Sequence, residues 1–190
     1  MALEKYKCSS NESGFSLAET LVAVTLLATG LLTLAQLFAI STNSNRAARS
    51  TTFASVLAEQ KIEQLRGLTW GFDILGLPIS DTTSNISVSP EQPVGGSGLS
   101  PGGSLTQNQV GYVDYVGRFG ETLGGGASPL PGTVYIRRWT IEPLPTNPNN
   151  TLILQVLVTP FRNRGVADQG SVARMPEEAR LVSVKTRKAQ

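Results

Sequence analysis

Between Thr20 and Asn45 the chain has no charged side chain, and Leu, Ala, Val and Thr dominate the stretch from Leu21 to Ile40. About twenty residues of helix span about 30 Å, the hydrocarbon thickness of a bilayer. Each Leu, Ile, Val or Phe in such a run favours insertion by roughly 0.3–0.6 kcal/mol. Three interior threonines and Gln36 subtract from the total. A buried core helix with no charged face needs protein on every side. The rest of the chain, with most of its 19 glycines and 11 prolines, is poorly suited to supply it. An ordinary secretory signal places its small-residue cleavage site after the apolar run, and Ile40-Ser41-Thr42-Asn43 is a poor site. The run therefore reads as a membrane span over about residues 15–40.

What precedes the span is short and polar. Residues 1–14, MALEKYKCSSNESG, set Lys5 and Lys7 against Glu4 and Glu12, and the small residue Gly14 stands before the apolar run rather than after it. Glu19 breaks the apolar logic. A carboxylate at membrane depth costs several kcal/mol, on the order of 3 or more at the helix centre, and by default marks a function with a named partner. The nearest plausible partner is the free amine that cleavage between Gly14 and Phe15 creates, on this chain or on a neighbour.

The stretch Gly14-Phe15-Ser16-Leu17-Ala18-Glu19-Thr20-Leu21-Val22-Ala23 resembles the class III signal sequence of type IV prepilins and type II secretion pseudopilins. The resemblance implies that an inner-membrane prepilin peptidase cuts after Gly14 and N-methylates Phe15. It also implies that Glu19 forms an assembly salt bridge with the N-terminal amine of an adjacent subunit. The implied fold is α+β, a "lollipop" whose long N-terminal helix packs on a small antiparallel sheet. The implied partners are the peptidase, other pilin or pseudopilin subunits met through the N-terminal helix, and an inner-membrane assembly platform. The implied location is the bacterial inner membrane, single-pass with the head outside the cytoplasm, and then a pilus or periplasmic pseudopilus. Within the family the chain is most like a minor pilin of the type IV pilus modification (V-type) group. The expected function is that of a minor structural subunit of a type IV pilus. The alternatives are a minor pseudopilin of a type II secretion system, or a filament-tip adhesin or DNA-binding pilin.

Two features of the span stay open on sequence. Thr25, Thr29, Thr33 and Gln36 share one helical face. That face either packs between stems or has threonines bonded back to their own i−4 carbonyls. Gly30 is the one weak point at which the helix would unwind.

Beyond the span, Ala54, Leu57, Ala58, Ile62 and Leu65 recur at three- and four-residue steps, with Arg49, Glu59, Lys61, Glu63 and Arg66 between them. This periodicity predicts that the helix continues to Arg66 and stops at Gly67. Leu57 to Arg66 is similar to the corresponding stretch of minor pilins. Residues 67–133 read as an irregular, Gly/Pro-rich region. Pro93–Gly103 and Gly124-Gly125-Gly126 are loops by composition, and short β-prone pieces lie at Ile86–Val88 and Tyr112–Val116. The three glycines lack the context of a phosphate cradle. Residues 134–190 read as the antiparallel sheet of the head, with strands at Val134–Leu144, Leu152–Thr159 and Arg180–Thr186. Arg137 interrupts the apolar face of the first strand, and Trp139 and Phe161 are expected in the core. The run Val134 to Glu142, then an apolar strand, then a basic C-terminal strand, resembles the head of minor pilins.

Composition narrows the chemistry. The chain has no histidine and a single cysteine, Cys8. That removes the commonest general base and metal ligand, every Ser-His or Cys-His pair, and any internal disulfide. No enzyme, cofactor or metal is expected. The net charge of +2 is small, and the basic residues of 134–190 alternate with apolar ones. They are expected on solvated strand faces, which argues against a nucleic-acid partner.

Overall fold

The computed structural model describes residues 14–81, 98–163 and 177–187. The chain divides into two compact units, residues 1–45 and 46–190. One α-helix, α1, runs Leu17–Gly67, so the expected stop at Gly67 is where the helix ends. In the first unit every large apolar side chain from Phe15 to Ile40 is exposed. Among the described residues this is the one helix long and apolar enough to cross a membrane. Gly30 does not interrupt it: the helix is continuous through that position. The threonine hydroxyls of the span bond back to their own helix. Thr25 Oγ1 donates to the Leu21 and Val22 carbonyls, Thr29 Oγ1 to Thr25 and Leu26, and Thr33 Oγ1 to Thr29 and Gly30, all within 2.7–3.0 Å.

In the second unit α1 turns amphipathic, and Ala54, Leu57, Ala58, Lys61, Ile62 and Leu65 are buried. They pack on one face of a six-stranded antiparallel sheet, built from β3 (Gly102–Gly103), β4 (Val113–Val116), β5 (Thr122–Gly125), β6 (Tyr135–Pro143), β7 (Thr151–Pro160) and β8 (Ala179–Thr186). The strand order is β5-β4-β6-β7-β8, and β3 pairs with β6 beyond the end of β4. Trp139, Ile141, Leu152, Leu154, Val156 and Val158 supply most of the sheet's share of this core. The opposite face carries a smaller cluster, Val113, Tyr115 and Ile136 with Leu123. Between helix and sheet, β1 (Trp70–Phe72) and β2 (Pro78–Ser80) form a separate hairpin. Arg187 fastens the hairpin to the end of β8: its guanidinium lies 3.7 Å from the Trp70 ring centroid, and Nη1 donates to the Gly71 and Ile79 carbonyls at 2.7 and 3.2 Å.

The three strands expected in 134–190 are present as β6, β7 and β8, but the sheet is wider than that. Residues 67–133 add β4, within the piece Tyr112–Val116 that reads as β-prone, and also β3 and β5, which come from stretches that read as loops by their glycines. Glycine marks close backbone approach as well as flexibility. A Cβ on Gly103 would lie 2.2 Å from the Trp139 carbonyl oxygen, and its φ of +99° disfavours other residues, so β3 meets β6 only as glycine. Ile86–Val88 falls outside the described residues. Phe161, expected in the core, is 38 % exposed in a short 3-10 turn just after β7. The strand faces also differ from expectation: Arg137 and Arg138 are fully buried rather than solvated.

Candidate functional site

The N-terminal motif occupies the entry to α1. Gly14, Phe15 and Ser16 precede the helix and are exposed. The Ser16 carbonyl accepts from the Glu19 and Thr20 amides at 3.0 and 3.1 Å, so Ser16 stands where the first turn begins. The Gly14–Phe15 bond therefore lies outside regular structure. Nothing approaches within 4 Å of where a Gly14 Cβ would be, and Phe15 is 81 % exposed. Glu19 sits in the first turn of the helix, where the unpaired amide ends favour a carboxylate. Among the described residues no side chain pairs with it, and it opens the charge-free surface.

A second arrangement lies inside the head and was not read from the sequence. Asp114 on β4, Arg137 on β6 and Lys61 on α1 meet in the core, with side-chain exposures of 0, 0 and 3 %. Arg137 grips the carboxylate at both oxygens, Nε to Oδ1 and Nη2 to Oδ2, each at 2.8 Å. Its Nη1 donates to the Leu57 carbonyl at 3.1 Å and to Gln60 Oε1 at 3.3 Å. Lys61 Nζ is 3.3 Å from Asp114 Oδ2 and 3.7 Å from the Trp139 ring centroid.

Two cations share one carboxylate here, and they do not share it equally. The two-point guanidinium grip is the stronger, more directional contact. For Asp114, burial alone pushes the carboxyl up, but Lys61 and Arg137 together outweigh burial and hold it below the usual carboxylate range. Lys61 is the surplus charge. Burial pushes its ammonium down and Arg137 pushes it further; attraction to Asp114 recovers only part, leaving it at about 8 rather than 10.5. The 3.3 Å contact thus looks like a simple ion pair, while the balance of charges makes Lys61 the group that gives up its proton first. The cluster is closed to solvent and ties helix to sheet.

On the outer face, Arg138 Nε donates to Asn108 Oδ1 at 2.8 Å, and Asn108 Nδ2 donates to the Ala127 carbonyl at 3.2 Å. Arg138 thereby fastens the loop segments on either side of β4 and β5. Among the described residues no group of three or more His, Cys, Asp or Glu is placed to hold a metal ion. No protein-family model, no curated protein and no solved structure matches the chain.

The sequence did carry a signal for the core cluster. Lys61 lies four residues after Leu57 and four before Leu65, which places it on the apolar stripe of α1. Asp114 stands alone in Val113-Asp114-Tyr115-Val116, and Arg137 interrupts an apolar strand face. Each is a single charge at a core position, and three such breaks of both signs point to one another.

Proposed function

We propose that the chain is a membrane-anchored minor subunit of a type IV pilus. In this reading prepilin peptidase releases residues 1–14, and the subunit is assembled through its N-terminal helix. One observation carries the reading: an exposed Gly14–Phe15 junction directly precedes a long helix, apolar and charge-free from Thr20 to Asn45, whose first turn holds a carboxylate, Glu19, with which no side chain pairs among the described residues. An unpaired carboxylate beside hydrocarbon is costly. A cationic N-terminal amine on a neighbouring Phe15 removes that cost, and the attraction grows as water is excluded. The α+β head, with its closed core and buried charge cluster, supports a structural rather than a catalytic role.

The test is the mature N-terminus. Mass spectrometry of the membrane-associated and filament-associated protein is expected to find a chain that begins at methylated Phe15, and the protein is expected in sheared surface filaments. Cleavage near Ser41, or an intact Met1 in assembled material, would refute the proposal.

A further inference from the structure

The turn between β1 and β2 presents apolar side chains where a polar turn would serve the hairpin equally well. Ile74 is 99 % exposed, Leu75 78 % and Leu77 58 %. Their presentation is built. Asp73 Oδ1 accepts from the amides of Leu75 and Leu77 at 2.8 and 2.7 Å, the Asp73 amide donates to the Leu77 carbonyl at 2.9 Å, and Gly76 takes a φ of +77°. The Asp73, Leu75, Gly76 and Leu77 amides are all bonded inside the turn, which holds the exposed side chains as a firm knob. Contiguous exposed apolar residues of this kind mark interaction surfaces.

The same chain carries a surface of matching character. On the face of β7 and β8 that points away from α1, Ile153 pairs with Val184 and Gln155 with Val182. Val182 and Val184 are each 59 % exposed. Among the described residues β8 pairs with β7 alone. The patch is bordered by Arg180, whose guanidinium is held by Gln155 Oε1 at 2.6 Å, whereas the knob is bordered by Asp73. The two surfaces are thus apolar at the centre and opposite in charge at the margin. Arg187, three residues after Val184, bonds the hairpin at Gly71 and Ile79, so the strand that carries the patch is fastened to the hairpin that carries the knob.

We propose that the Ile74–Leu77 knob docks on the outer face of β7 and β8 in a second copy of this chain. The contact is heterologous, so each copy keeps a free knob and a free patch, and the association does not close on itself. Three side chains do not offset the loss of translational freedom in solution. The contact therefore depends on copies tethered in one membrane, where effective concentration is high, and it rests on the membrane reading above.

Full-length chain is reconstituted in lipid vesicles with Cys8→Ser as background. Leu75→Cys and Val184→Cys are placed in separate chains, mixed, and treated with a short bismaleimide. The mixture is expected to give covalent dimer at ten or more times the yield of either variant alone, and Leu75→Glu in labelled wild-type background is expected to weaken energy transfer between copies at least ten-fold. Equal yields from one variant alone, or energy transfer unchanged by Leu75→Glu, overturn the proposal. A chain that carbonate washes from the vesicles overturns the membrane reading together with it, whereas a firmly inserted chain with no mixed dimer overturns the docking alone.

Discussion

Replacing Lys61 by Met removes the surplus cation of the core and keeps the stem that lies along Trp139. The ammonium is held at about 8 against an ordinary 10.5, and each unit corresponds to about 1.36 kcal/mol. The charged form is thus disfavoured in the folded state on the order of 3 kcal/mol, and the Trp139 face returns part of that, so a net cost of about 1–3 kcal/mol is expected. The sign follows from proton binding. A folded-state value below the unfolded one means that the unfolded chain binds more protons between about 8 and 10.5, so stability rises with pH across that window and the penalty is fully present below it. Lys61→Met is therefore expected to be as stable as the parent at pH 7 or more stable by about 1–3 kcal/mol, as when a buried charge gives way to a packed apolar group. The difference should vanish as pH approaches 10. Asp114→Asn does the opposite: it leaves two buried cations facing each other and is expected to cost about 3–5 kcal/mol. Urea unfolding of the full chain in micelles, followed by tryptophan fluorescence at several pH values, reads both effects, because Trp139 touches Lys61. Destabilisation by Lys61→Met at pH 7, with no rise of parental stability above pH 8, would show that the contact with Asp114 outweighs the cost of burying the ammonium.

Three further outcomes are expected. Glu19→Ala leaves insertion and cleavage intact but removes the protein from sheared filaments, with Glu19→Asp partly defective; immunoblots of membrane and filament fractions decide it, and wild-type levels in filaments would defeat the pairing. Gly103→Ala drives a Cβ toward the Trp139 carbonyl at a positive φ and is expected to destabilise the head by about 2–4 kcal/mol in the same urea assay, since the neighbour is backbone and cannot rotate away. A chain that starts at Arg46, where the second compact unit begins, is expected to be soluble, folded and monomeric by circular dichroism and gel filtration; aggregation under mild conditions would show that the head needs residues before Arg46.

The elements that were legible share one property: their pattern is complete within a short window. The apolar span, the stripe from Ala54 to Leu65 and the alternation in β6, β7 and β8 each declare a period without reference to the rest of the chain. What was missed depends on distant neighbours. β3 and β5 are strands because β6 and β4 run beside them, and their glycines, read locally, signal only turns. Lys61 lies 53 residues from Asp114, and Arg137 lies 23 residues from it. Their meeting is a property of the assembled sheet, and on its own element each reads only as a single charge that breaks an apolar pattern. The N-terminal motif is the reverse case: Gly14, Phe15 and Glu19 lie within six residues of contiguous sequence, so the pattern is local and needs no distant neighbour.

The bonds of Arg137 have a mechanical consequence. One guanidinium on β6 holds the backbone of α1 at Leu57, its side chain at Gln60 and the β4 carboxylate at the same time. Tension drawn along the lower part of α1 enters the sheet through that junction and spreads to the strands on both sides of β6, which is paired along its whole length with β7. Each such bond shares the load with the nine-residue β6–β7 ladder rather than with a single contact.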